Sequence, residues 1–132
     1  MLRSFLLRFL IQLAIAALIC FVLFKSGIRL EELLLATVFY FTSLVLNVVS
    51  SIKIALKDLK SKGNLLFAIG MLLFLFCDIN VGLFNLSGFV TLPKELYELI
   101  YFFSSILMWT FYAPSQVLIA LSAKIILKEP KL

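Results

Sequence analysis

The sequence has no histidine among its 132 residues. That removes the commonest general base, the commonest metal ligand and the usual nucleophile–base triads. Its two cysteines, Cys20 and Cys77, stand in separate apolar runs without a CxxC spacing, so neither a disulfide framework nor a zinc site is expected. Charge is scarce as well. Only 14% of residues are Asp, Glu, Lys or Arg, too few to clothe a soluble domain of this size. No metal and no cofactor are expected. The net charge of +5 could point to nucleic acid. The basic residues are instead placed as a membrane topology signal, and no nucleic-acid partner is expected.

What the chain has is hydrocarbon. Hydrophobic residues make up 64% of it, with a mean hydropathy of +1.16. They fall in blocks of about 20, the length that crosses a bilayer core. The expected fold is all-α: a single polytopic membrane domain, a bundle of four transmembrane helices, near residues 5–24, 33–52, 65–86 and 96–124. The first run lacks the small-x-small cleavage site of a signal peptide, and Ile19 is too bulky to precede a lipidated cysteine, so it is expected to be retained. The fourth stays apolar to about Leu127, which allows tilt or an amphipathic extension.

With four spans, Arg3, Arg8, Lys53, Lys57, Lys60, Lys62, Lys124, Lys128 and Lys131 share one side, against Lys25, Arg29 and Lys94 on the other. Nine against three puts both termini in the cytoplasm, and a bacterial cytoplasmic membrane is the expected location. The segment SIKIALKDLKSKGN reads as a short amphipathic helix ending near Gly63, whose lysines can meet anionic headgroups. Pro93 suits the first position of the fourth helix.

Polar residues inside the spans fall on stripes. Span one offers Gln12, Ala16 and Cys20. Span two has Tyr40, Ser43, Asn47 and Ser51. Span three has Met71, Asp78, Gly82 and Asn85, with Gly82 expected to admit a neighbouring helix and Asn80 pointing elsewhere. Span four has Ser105, Trp109, Tyr112, Gln116 and Ala120, and Pro114 leaves the carbonyl of Thr110 without its helical donor. Facing lipid is costly for such groups, so the stripes are expected to converge. Ser, Thr and Asn serve equally as interhelical glue, and Trp109 with Tyr112 can be ordinary packing. A carboxyl in hydrocarbon is different, because it balances between charged and neutral forms and can give or take a proton. Asp78 is therefore the candidate catalytic residue.

Two segments carry a family resemblance. GMLLFLFCDINVGLFNLSGF (Gly70 to Phe89) resembles the second acidic motif of the YhhN family, the lysoplasmalogenase-like membrane proteins. LMWTFYAPSQVLIALSAK (Leu107 to Lys124) resembles its last helix through Tyr112, Gln116, Leu118, Ile119 and Ser122. Family members are about twice as long, with one acidic motif in each half. This chain matches the second motif only, with Cys77 where the family usually has serine. The resemblance implies hydrolysis of the vinyl ether bond of a lysophospholipid, with Asp78 as acid or base. Asn85, Trp109, Tyr112 and Gln116 are the candidate substrate-binding residues. One carboxyl does one proton-transfer job at a time, so a parallel homodimer bringing two Asp78 side chains together is the expected assembly. Two other functions fit the same residues: a small proton-coupled transporter using Asp78, and a non-catalytic membrane subunit.

Overall fold

A computed structural model describes residues 2–29 and 31–129. They form four α-helices and one short 3-10 turn, and no strand is found among the described residues. The helices are α1 (Leu2–Lys25), α2 (Glu32–Lys57), α3 (Lys62–Phe84) and α4 (Lys94–Ile126), with the 3-10 turn at Leu86–Gly88. All four are long and apolar enough to cross a membrane.

The boundaries depart from expectation where local hydrogen bonding overrides composition. Residues 53–57 are no separate amphipathic helix; they complete α2. The break comes at residues 58–61. There the carboxylate of Asp58 accepts from the Lys60 amide at 3.3 Å, and Ser61 caps α3 by accepting from the Asn64 amide at 3.2 Å. Gly63, expected to end a helix, lies in the first turn of α3. Pro93 is the N-cap of α4, one position before the expected one, and α4 continues unbroken through Pro114.

The chain divides into two compact units, residues 1–46 and 47–132. In the first, Gln12 and Ala16 are the buried residues of α1, and Cys20 is half-buried on the same stripe. The Gln12 amide donates to the carbonyl of Phe39 at 3.3 Å, tying α1 to α2 where no water competes. Phe9 meets Phe39 edge-to-face beside it, with ring centroids 6.1 Å apart.

In the second unit α3 and α4 pack antiparallel. A Cβ added to Gly63 would strike Ile126, and one added to Gly70 would lie 2.9 Å from Ile119 Cγ1. Cys77, one further heptad along, shares a groove with Tyr112, one further heptad back. Each step of seven on α3 is thus matched by seven on α4, the period at which two long helices keep the same faces together. Small residues at those steps let the backbones approach, the way helices associate where lipid removes the hydrophobic drive.

Three expectations about the helix faces are corrected. Close approach occurs at Gly63 and Gly70; a Cβ on Gly82 would meet nothing within 4 Å. The buried residues of α4 are Ser104, Ser115 and Ser122, while Trp109, Tyr112 and Gln116 are exposed. Each buried serine donates to a carbonyl three residues back in its own helix: Tyr101, Tyr112 and Ile119. Ser51 does the same to Val48, and its stripe is Leu44, Val48, Ser51 and Ala55, not Tyr40 to Ser51, since Tyr40 is exposed. A hydroxyl satisfied by its own helix needs no partner across an interface, so smallness, not polarity, decides which face packs.

Candidate functional site

The groove between α3 and α4 is lined by Cys77, Val81, Met108, Trp109 and Tyr112, with a volume of about 200 Å³. Three neighbouring contacts shape it. Toward Lys62 the pair is closed by the Gly70–Ile119 approach. Toward Asn85 the rings of Phe84 and Tyr101 stack with centroids 4.6 Å apart. Phe76 and Phe111 also meet at the level of the groove, 5.6 Å between centroids. The groove lies between these two ends.

Trp109 and Tyr112 come together here, edge-to-face with centroids 6.0 Å apart and planes 86° from each other. They are one helical turn apart, so α4 geometry alone makes them neighbours. Trp109 is 67% exposed and forms the outer wall. Asp78 follows Cys77, and 100° per residue carries it past Val81, to the edge of the α3 face that lines the groove. It is half-buried there. Asn80 turns the other way. It is buried, and its amide donates to the carbonyl of Phe76 at 2.7 Å, which settles its polar group within α3.

Three of the five candidates, Asp78, Gln116 and Asn85, stand off the groove lining. Gln116 is exposed, one turn from Tyr112 toward Lys124. Asn85 is the C-cap of α3, where its amide donates to the carbonyl of Val81 at 2.8 Å. It lies two turns from Asp78 on the same face, about 10 Å along the axis. Among the described residues, no three His, Cys, Asp or Glu side chains gather where they could hold a metal ion.

Cys77, Val81 and Met108 line the groove without any mark in the sequence that sets them apart. Cys77 and Val81 are four apart on one helix face, a signal open to any apolar segment of helix. What singles them out is the register with α4, and that appears only once the helices are paired.

A second constellation lies at the opposite end of the same helix pair. The carboxylate of Glu129, just beyond α4, accepts from the Ser61 hydroxyl at 2.5 Å and from the Gly63 amide at 3.1 Å. These two bonds, with a smaller contribution from the Lys62 amide, hold the Glu129 carboxyl below its ordinary pKa, outweighing a small opposing desolvation. A carboxylate at a helix N-terminus also meets the positive end of the helix dipole. The arrangement is a structural clasp.

No family model matches the chain, and no curated protein or solved structure matches it either.

Proposed function

We propose that this integral membrane protein hydrolyses the vinyl ether bond of lysoplasmalogen-type lysophospholipids, with Asp78 as the proton-transferring group. The observation that carries the proposal is an apolar groove lined by Cys77, Trp109 and Tyr112, with Asp78 the next residue after Cys77 on α3. An alkenyl chain needs such a surface, and the reaction needs one group that can move a proton inside it. The resemblance of residues 70–89 and 107–124 to the YhhN family supports the same chemistry.

In the reaction, a carboxylic acid protonates the enol ether carbon remote from oxygen. Water then adds to the resulting oxocarbenium carbon and gives up a proton to a base. The hemiacetal so formed breaks its carbon–oxygen bond to give a fatty aldehyde and the glycerophospho alcohol. Acid and base are separate tasks. A parallel homodimer supplies both, with one Asp78 for each task. The excess of lysine and arginine on the side of the termini supports a cytoplasmic location for both ends. Tyr112, Trp109, Gln116 and Asn85 bind and orient the lysolipid in this scheme.

The test is aldehyde release from an alkenyl lysolipid by purified protein in mild detergent. Activity lost in Asp78→Asn supports the proposal. No aldehyde from the unaltered protein overturns it.

A further inference from the structure

The two halves of the α3–α4 pair differ in a way that gives the groove a side. From Lys62 to Gly70 the helices are in contact at both glycines, with no room for even one added carbon without displacing Ile126 or Ile119. The groove begins at Cys77, one heptad past Gly70, and reaches Val81. The midpoint of α3 is near residue 73. Cys77 and Val81 both lie past it, about 10 and 5 Å from the Phe84 end and more than about 20 Å from the Lys62 end. Half the hydrocarbon thickness is about 15 Å, so the whole groove falls within one leaflet. Its ends are closed by the Gly70–Ile119 approach and the Phe84–Tyr101 stack, leaving lateral entry from that leaflet. Asn85 stands two turns above Asp78 on the Asp78 face, at the height where a polar head would emerge.

We infer that the groove takes a single-chain lipid from the leaflet at the Asn85 end, which the lysine distribution makes the non-cytoplasmic one. Its head lies near Asn85 and its first chain carbons lie against Val81, Met108 and Trp109. The substrate class rests on the function proposed above. The side of entry rests on the packing of α3 against α4.

The experiment uses the full chain in vesicles, sorted by orientation through protease access to the lysine-rich loop at residues 57–62. A lysolipid with a brominated chain is added from outside, where it enters the outer leaflet alone. Trp109 is the single tryptophan and reports contact by quenching. Saturable quenching, relieved by unbrominated lysolipid, is expected only when the Asn85 end faces out. Val81→Phe fills the groove and should abolish the saturable part; Gly82→Ala, whose Cβ meets nothing within 4 Å, should keep it. Equal quenching from either side, or quenching only from the Lys62 side, overturns the inference. Sided quenching with no aldehyde from an alkenyl lysolipid leaves the inference standing and removes the proposed hydrolysis.

Discussion

Ser61 and Glu129, 68 residues apart in the chain, are joined by a hydrogen bond of 2.5 Å. The Glu129 carboxylate holds the Gly63 amide with its other oxygen. Through these bonds the end of α4 is fastened to the start of α3, next to the heptad of small residues that brings the two helices close.

The clasp predicts a pH dependence. The Glu129 carboxyl is held below its ordinary pKa in the folded chain. Its contribution is therefore complete at pH above the ordinary carboxylate range, and is lost as pH falls through the lowered folded value. Thermal unfolding in detergent should show less acid sensitivity in Glu129→Gln than in the parent. An unchanged acid limb in that variant would remove Glu129 as its source.

The glycines predict opposite outcomes for one substitution. Gly70→Ala places a Cβ 2.9 Å from Ile119 Cγ1 and 3.2 Å from its backbone nitrogen. Overpacking of this kind costs about 1–3 kcal/mol. Gly82→Ala meets nothing within 4 Å, and alanine is the better helix former by about 1 kcal/mol. Chemical unfolding should rank Gly82→Ala at or above the parent and Gly70→Ala below it.

Ser115 has no exposed surface, and its hydroxyl donates to the carbonyl of Tyr112 in its own helix. Ser115→Ala removes both the hydroxyl and its local bond, leaving that carbonyl to its helical partners. A change below about 1 kcal/mol is expected. Ser115→Leu must force α3 and α4 apart and should cost about 1–3 kcal/mol. The pair of unfolding curves separates packing by size from packing by polarity.

A shared catalytic centre has a stoichiometric signature. If each active centre needs two Asp78 carboxyls, parent and Asp78→Asn chains mixed equally before assembly retain about one quarter of the aldehyde-releasing activity. Independent protomers retain about one half. Retention near one half, with dimers confirmed by native mass spectrometry, would confine the chemistry to one chain.

Much of the architecture was legible from residue order. Four apolar blocks of spanning length give four helices, and Gln12 with Ala16 marked the packed stripe of α1. The start of α3 was harder to see. Its position depends on the Ser61 cap and on Glu129, a residue whose partners lie more than sixty positions away. Polar stripes in α2 and α4 misled for a single reason: Ser51, Ser104, Ser115 and Ser122 satisfy themselves, so a buried serine leaves no outward polar signal. Trp109 and Tyr112 were recognisable as neighbours because they are one turn apart, but their lining partners Cys77 and Val81 were not.

The sequence by itself determined where hydrocarbon gives way to charge, and hence the number and approximate position of the membrane helices. Transfer from water to lipid sums over neighbouring residues, so it can be read locally. Tertiary structure decided which face of α3 meets α4, that Gly63 and Gly70 close one half of the pair, and that a groove opens at Cys77 and Val81 in the other half. Those features depend on the register between two helices. Small residues permit many registers, and only the packed pair selects one.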